Sequence, residues 1–175
     1  MTSAESTEYG DGINDIADTN YDWGVYNTIS NGGNKTDVWR TLTKDEWNYL
    51  INDRKNAENL QGPATVQGHT GYVLLPDEWS TPSGLSFAAD SKSYSKNSYS
   101  YPEWSRMEAA GAVFLPAAGL RYGSVSGVGT HGNYWSSTYV ASDVAYRFYF
   151  SSSTVYASNY NSRYYGHSVR LAQEL

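Results

Sequence analysis

The stretch that decides the fold class runs from His131 to Arg170 and reads HGNYWSSTYVASDVAYRFYFSSSTVYASNYNSRYYGHSVR. Short runs of aromatic and β-branched residues alternate in it with serine, glycine and asparagine, which is typical of strands joined by turns. Ser151–Ser153 predicts a three-residue turn, so the runs on either side of it form a hairpin. The strands predicted here are Tyr134–Thr138, Ala145–Phe150, Thr154–Ala157 and His167–Leu171.

Two capping boxes upstream predict helix starts. The first is T-x-x-E and is followed by apolar residues at helical spacing, Trp47, Leu50 and Ile51. The second is S-x-x-E and is followed by Trp104 and Met107, with Gly111 as a left-handed stop. The glutamates that could be nominated as catalytic acids are Glu46, Glu103 and Glu108. Two of these stand at the third helical position, where capping the helix explains them better than catalysis.

Two further short strands are predicted over Gly71–Leu75 and Ala112–Leu115. Two helices with short antiparallel strands and long irregular loops favour an α+β domain. Residues 1–36 are rich in glycine, asparagine and aspartate and are predicted to be an irregular leading segment of the same domain.

Composition excludes several classes of protein. The chain has 175 residues, with 12 Lys or Arg against 18 Asp or Glu and a formal net charge of −6. An acidic chain without basic runs is poorly suited to nucleic acid, and no apolar stretch is long enough to insert in a membrane. The chain contains no cysteine, which excludes disulfides and thiolate metal sites. The first residues lack the features of a signal peptide, so we expect export that is not Sec-type, or a leader already removed.

Motifs that carry chemistry elsewhere are weak here. Asp18–Asp22 resembles the start of a calcium loop, but Trp23 stands where the loop needs glycine. Gly127–Gly132 matches G-x-G-x-x-G, yet an extended run follows it where dinucleotide binding requires a helix, so a plain glycine-rich loop is predicted. His69, His131 and His167 lack partners at metal-ligand spacing, and a Ser-His-Asp triad is left open without a G-x-S-x-G motif. Asn34–Thr36 is a glycosylation sequon, meaningful only in a eukaryotic secretory setting. We therefore expect no cofactor, no metal and no enzymatic activity.

The C-terminal third uses a different set of amino acids. From Ala109 to Ala172 there is no Lys, Glu, Gln or Met, and half of the forty residues from His131 to Arg170 are Tyr, Ser or Asn. Tyrosine offers a large, stiff contact area and serine or asparagine offers adaptable hydrogen bonding, so this composition favours a recognition surface. The alternative is that the tyrosines are ordinary half-buried strand residues. On Ala145–Phe150 we expect Ala145, Phe148 and Phe150 to anchor the strand, and Tyr146, Arg147 and Tyr149 to point outward.

The genetic code sharpens this interpretation. Randomising the adenines of AAC or AAT codons reaches Tyr, Ser, Asn, Asp, His, Gly and others, but not Lys, Glu, Gln, Met or Trp. Every residue from Ala109 to Ala172 except Trp135 lies in the reachable set. The segment is therefore compatible with adenine-directed diversification.

Five motifs carry a family resemblance: Trp39–Trp47 (WRTLTKDEW), Gly71–Trp79 (GYVLLPDEW), Gly111–Gly119 (GAVFLPAAG), Gly132–Thr138 (GNYWSST) and Gly166–Leu171 (GHSVRL). In this order they resemble gut-bacterial and bacteriophage proteins with a C-type lectin fold of the formylglycine-generating-enzyme type. That group includes the variable proteins of diversity-generating retroelements. The resemblance covers about residues 20–172 and implies a C-type-lectin-like domain over residues 37–175, with a variable region at about 133–167.

The resemblance also implies roles for individual residues. The positions that match the fixed framework are Trp135, Ser136, Gly166, Ser168, Val169 and Arg170. The positions that match the variable, ligand-binding ones are Tyr139, Ala141, Asp143, Tyr146, Arg147, Tyr149, Ser151, Ser153, Tyr156, Ser158, Tyr160, Ser162, Tyr164, Tyr165 and His167.

Departures from the family limit what it implies. The related enzymes oxidise with cysteines, which this chain lacks, so that activity is excluded. The Glu-Pro-Asn and Gln-Pro-Asp triplets of calcium-dependent sugar-binding lectins are also absent. Family members carry an extra strand upstream, so we expect a trimmed or divergent start.

The expected function is that of a receptor-binding or adhesin-like protein with a hypervariable surface. Its expected partner is a protein or glycan on a cell surface, and its expected location is a cell surface or a virion. The alternatives are a non-variable structural or decoration protein of a phage or cell surface, and a lectin-fold enzyme relative that would need clustered histidines and carboxylates.

Overall fold

The chain is predominantly β. A computed structural model describes residue 16, residues 22–30 and residues 32–173; 36% of them lie in strands and 17% in helices, and the strands form four small sheets. The prediction of an α+β domain with a C-type lectin fold is therefore wrong. The reason is that the strands were under-predicted: the two predicted helices are present, but the described residues form eleven strands where six were predicted, and the strand predicted over Tyr134–Thr138 spans 11 residues.

The helical elements are short. They are α1 (Trp23–Tyr26), α2 (Lys44–Asn48), a π-helical turn over Tyr49–Asp53 that continues α2, a 3-10 turn over Ala57–Asn59, and α3 (Tyr101–Ala109). The predicted capping box of α2 is confirmed: Thr43 Oγ1 accepts from the Glu46 N–H at 3.2 Å, and Glu46 Oε2 accepts from the Thr43 N–H at 2.8 Å. The start of α3 is also as predicted, with Glu103 Oε2 accepting from the Ser100 N–H at 2.7 Å.

Eleven strands complete the described residues. In chain order they are β1 (Arg40–Thr41), β2 (Gln61–Val66), β3 (His69–Leu74), β4 (Ser98–Tyr99), β5 (Val113–Pro116), β6 (Leu120–Tyr122), β7 (Ser124–Ser126), β8 (His131–Ala141), β9 (Val144–Ser151), β10 (Val155–Ser162) and β11 (Leu171–Ala172). The sheet orders are β4-β2-β3-β5, β10-β9-β8, β6-β7 and β1-β11. All neighbours are antiparallel except β2 and β4. The predicted hairpin about Ser151–Ser153 is confirmed by β9 and β10. The predicted strand His167–Leu171 shrinks to β11 and a single bridge from Ser168 to Tyr134.

An aromatic core fixes one face of the β10-β9-β8 sheet. Phe148 and Phe150 of β9 are completely buried. The indole of Trp47 stacks on the Phe148 ring with centroids 4.7 Å apart, and the Tyr72 ring lies 5.1 Å from that of Phe150. Gly132 belongs to this packing, because a Cβ there would lie 2.2 Å from the Phe150 ring. Helix α2 and strand β3 therefore hold the sheet from behind.

A second cluster supports the four-stranded sheet. Trp104 and Met107 of α3 are buried against Val73 and Leu75, as the periodicity predicted. Gly111 has φ +97°, the left-handed stop expected after this helix. None of the helices among residues 22–30 and 32–173 combines the length and apolar character needed to cross a membrane.

The part of the leading segment that is described contacts the rest of the chain through Asp22. Its buried carboxylate accepts from the Gly24 N–H at 3.1 Å, the Thr41 N–H at 2.6 Å and the Thr41 hydroxyl at 2.8 Å. These bonds join α1 to β1. Asp18 and Asn20, the other oxygen-bearing residues of the stretch that resembles the start of a calcium loop, lie outside the described residues.

Candidate functional site

The β10-β9-β8 sheet presents one face to the core and one away from it. Because successive side chains of a strand alternate, burial of Phe148 and Phe150 puts Arg147 and Tyr149 on the opposite side. Arg147 is paired with Trp135 and Asn159, and Tyr149 with Asn133 and Tyr156. We call the side of the sheet that carries these residues the outer face.

A bulge in β10 sets which of its residues reach the outer face. The register with β9 shifts between Tyr156, opposite Tyr149, and Asn159, opposite Arg147. Tyr156 and Asn159 are three residues apart, yet both contact outer-face groups: the Tyr156 ring stacks on Tyr149 at 6.1 Å, and Asn159 Oδ1 accepts from Arg147 Nη2 at 3.5 Å. The extra residue therefore restores both side chains to the same side.

Arg147 is the cation at the centre of the outer face. Its Nη1 donates to Asn133 Oδ1, and its guanidinium carbon lies 5.2 Å from the centroid of the Tyr149 ring, within cation–π range. Its Nε is covered from solvent and donates to no acceptor among the described residues. Burial lowers the pKa of Arg147. No carboxylate of the described residues forms an ion pair with it.

Aromatic side chains surround this guanidinium. The Trp135 ring lies 4.2 Å from the His167 ring, which in turn stacks on Tyr165 at 6.0 Å. On the other side, the His131 ring lies 5.9 Å from Tyr149. We call the full set of outer-face rings the aromatic rim; it consists of Tyr122, His131, Trp135, Tyr149, Tyr156, Tyr164, Tyr165 and His167.

Two histidines of the rim have lowered pKa values. Burial, then the charge of Arg147, lowers the pKa of His167 to about 4. The same two causes lower the pKa of His131. Both imidazoles are therefore neutral at neutral pH. Their hydrogen-bond neighbours are amides: His131 Nδ1 lies 2.9 Å from Asn133 Nδ2, and His167 Nε2 lies 3.3 Å from Asn161 Nδ2.

The predicted ligand-binding positions all lie at least partly at the surface, and none belongs to the buried core of the described residues. The exposed ones are Asp143, Ser153, Tyr156, Ser158, Tyr160 and Tyr164. The half-buried ones are Tyr139, Ala141, Tyr146, Arg147, Tyr149, Ser151, Ser162, Tyr165 and His167. The tyrosine rings among them therefore pack at the surface and not in the aromatic core.

The outer face gathers only some of these positions. It holds Arg147, Tyr149, Tyr156, Tyr164, Tyr165 and His167. Two serines lie at the β9–β10 end of the sheet, and Asp143 lies in the β8–β9 turn at the opposite end, where its carbonyl accepts from the Arg163 N–H at 2.8 Å.

The expectation that Tyr146 points outward together with Arg147 is wrong. Adjacent residues of a strand face opposite ways, and Tyr146 pairs with Tyr160 on the side of helix α2. There the Lys44 ammonium lies 5.4 Å from the Tyr146 ring. Ala145 is also not a core anchor: it lies two residues from Arg147, so it faces the same side of the sheet, and it is only half-buried. The sheet thus carries a second, smaller aromatic surface beside α2.

The predicted framework residues mostly act through the backbone. Ser168 donates its N–H to the Asn133 carbonyl at 3.0 Å and accepts from the Trp135 N–H at 2.9 Å. Gly166 exchanges two backbone hydrogen bonds of 2.8 Å with Arg121. Ser136 is buried, whereas Val169 and Arg170 are exposed.

Sequence reasoning missed part of the outer face. Asn133, Asn159 and His131 contact Arg147 or its neighbours but are not among the predicted positions. The available signal was the spacing of two along β8, which puts His131 and Asn133 on the same side as Trp135. Tyr122 carried no such signal, because it reaches the rim from another sheet.

Within the residues that the structure describes, the weak motifs of the sequence do not come together as a catalytic or metal-binding site. The glycine-rich stretch Gly127–Gly132 forms a turn that runs into strand β8, so the predicted plain loop is confirmed. Among the described residues, neither rim histidine hydrogen-bonds a serine hydroxyl or a carboxylate. The same residues contain no group of three or more histidines and acidic side chains placed to hold a metal ion.

No protein-family model, curated protein or solved structure gives a match to this chain. The resemblance to the variable proteins of diversity-generating retroelements therefore stays a prediction.

Proposed function

We propose that the protein is a receptor-binding or adhesin-like protein that binds its ligand on the outer face and aromatic rim. In this proposal the surface belongs to a family of variants produced by adenine-directed mutagenesis, and the protein acts at a cell surface or on a virion. It binds without catalysing a reaction.

The observation that carries the proposal is that the aromatic rings of the outer face lie apart from the buried aromatic core. The outer face holds eight aromatic rings in two groups of mutual contacts, one of five rings and one of three, and Tyr156 of the smaller group is 53% exposed. Tyrosine, tryptophan and arginine are the residues that supply most of the binding energy at protein interfaces. Rings that hold one another in place also lose little conformational entropy when a ligand binds.

A rigid support favours the same function. The strands that carry the outer face are fixed from behind by the stack of Trp47 on Phe148 and by Tyr72 against Phe150. Side chains of the outer face contribute little to that packing. Substitutions on the face therefore change the surface while the sheet stays in place, which is what diversification requires.

The test is a binding screen on arrays of bacterial cell-surface glycans and displayed proteins. A ligand captured by the native chain should bind at least ~30-fold more weakly to Tyr149→Ala and Tyr156→Ala, since interface aromatics cost ~2 kcal/mol or more when truncated. Tyr101→Ala is the matched control, because Tyr101 is 69% exposed on α3. Equal binding by all three variants would overturn the proposed site, and loss of an oligomer would point to a structural role.

Diversification has its own test. Sequences of sibling proteins should differ at the predicted variable positions and hardly elsewhere, and the source genome should hold an adenine-rich template repeat beside a reverse transcriptase. Substitutions spread evenly along the siblings would refute the adenine-directed part of the proposal while leaving ligand binding open to the array screen.

A further inference from the structure

Charge is distributed unevenly between the recognition segment and the rest of the chain. Residues 109–172 contain four arginines and one aspartate, a formal charge of +3, whereas the remaining residues carry −9. The outer face is thus built from the cationic part of an acidic protein. A surplus of arginine in the segment that carries the outer face attracts anionic partners to that face.

Arg147 is placed to receive the anion. It stands in the central strand of the sheet, and its described hydrogen-bond partners are two neutral amide oxygens, one of them 3.5 Å away. A guanidinium has five N–H donors, so several have no strong acceptor. Burying a cation without a counter-charge costs free energy, which a carboxylate bound in the fork geometry would offset.

Neighbouring groups match a carboxylate as well. Asn159 Oδ1 accepts from Arg147 Nη2 and from the Tyr160 N–H at 2.8 Å, which leaves the amide nitrogen of Asn159 as a donor beside the guanidinium. The two rim histidines are neutral, and the charge of Arg147 contributes to their lowered pKa values. The potential at this point of the face is therefore positive without a second fixed cation.

Resting on the proposed function, we infer that the ligand is a protein whose aspartate or glutamate side chain binds Arg147 on the outer face. A protein fits better than an acidic glycan, because the rim combines Trp, Tyr and Arg, the residues enriched at the centres of protein interfaces. The carboxylate pairs with the guanidinium while the rings cover the aliphatic part of the acidic side chain.

Nuclear magnetic resonance titration of the full chain tests this inference with small probes. The peptide Ac-Gly-Glu-Gly-NH2 should shift the Arg147 side-chain resonance and the rim rings, and the neutral Ac-Gly-Gln-Gly-NH2 should not. Arg147→Gln should weaken binding of the glutamyl peptide at least tenfold. Arg147→Lys keeps the charge but not the forked guanidinium, so its affinity for the peptide should lie between those of the native chain and of Arg147→Gln. Arg106→Gln removes the same charge from α3 and is expected to bind as the native chain does.

Each other outcome overturns the inference in a distinguishable way. Glucuronate that shifts the same resonances more strongly than the glutamyl peptide would replace the protein partner with an acidic glycan. Equal shifts from the glutamyl and glutaminyl peptides, or full binding by Arg147→Gln, would show that no carboxylate is recognised. If array ligands still depend on Tyr149 and Tyr156 in that case, the proposed function stands and only the charge chemistry fails.

Discussion

The two faces of the β10-β9-β8 sheet are made by the same strands and differ completely in chemistry. The face toward α2 buries Phe148 and Phe150 with no exposed surface, whereas the outer face carries Arg147 and Tyr149, both partly exposed. Residues adjacent in sequence thus serve different purposes: one set holds the sheet together and the other meets solvent. The comparison teaches that the period of two separates packing from surface in the central part of β9, while Tyr146, on the α2 side, shows that the surface tyrosines of this segment are not confined to one face.

The largest effect should come from the core side. Phe148→Ala removes a fully buried ring from contact with Trp47, so the free energy of unfolding should fall by about 3–5 kcal/mol. Tyr149→Ala, the neighbour on the outer face, should cost less than about 1 kcal/mol. Urea unfolding measures both, and Phe148→Leu serves if the alanine variant does not fold. Equal losses for the two neighbours would abolish the distinction between the faces.

Gly132 should give the next largest effect. Gly132→Ala would bring a Cβ to 2.2 Å from the Phe150 ring, so the ring must shift and stability should drop by about 1–3 kcal/mol. Gly68→Ala is a useful comparison, because its Cβ meets nothing within 4 Å, although its φ of +83° carries a backbone cost of its own. Thermal unfolding of both variants measures the difference. A Gly132→Ala chain as stable as the native protein would show that the core face is loosely packed.

Acid should reveal the electrostatics of the outer face. The pKa of His167 is about 4 in the folded chain against an ordinary value of about 6.5, so the unfolded chain takes up this proton first as the pH falls. The contribution of neutral His167 to stability is therefore present above about pH 6.5 and is lost as the pH falls to about 4.

Arg147→Gln should raise the pKa of His167, because it removes one of the two main causes of the shift. The pKa should stay below 6.5, since burial, the larger cause, remains. The imidazole proton resonance followed against pH measures this directly. An unchanged His167 titration would place the two groups too far apart to share a site.

The smallest effect on stability is expected at the exposed rim. Tyr156 is 53% exposed, so Tyr156→Ser should change the free energy of unfolding by no more than about 0.5 kcal/mol. The same change should weaken ligand binding strongly if the rim is the binding surface. Chemical denaturation and the array assay on one protein preparation provide the two readouts, and a large stability loss would assign Tyr156 to the scaffold.

Local signals in the sequence predicted local structure well. The capping boxes at Thr43 and Ser100 begin helices, and the serines after Phe150 end β9 and form its turn into β10, because a few neighbouring residues decide each of these features. The strand content was underestimated, since no strand was predicted over β1, β2, β4, β6 or β7, and β8 and β10 are longer than the strands predicted there. The fold class was wrong for this reason.

The site depends more on long-range packing. The composition pointed to the segment that carries the rings, but His167 reaches the Trp135 ring of β8 where Ser168 is bridged to Tyr134, a contact between residues far apart in the sequence. Tyr146 was assigned to the wrong face because composition was weighed over alternation. Tyr122 enters from a separate sheet, and no pattern within one strand indicates such a contact.

The bulge in β10 gives this surface a second route to change. Tyr156 and Asn159 are three residues apart and share the outer face only through the register shift between them. Deleting one residue at positions 157–158 would leave them two apart, the regular spacing of one strand face, so both would keep their places opposite Tyr149 and Arg147 while the bulge disappeared. The shorter strand would lose the extra twist that a bulge adds, so a change in its length would re-aim the Tyr156 ring relative to the guanidinium without altering any codon of the neighbouring strands.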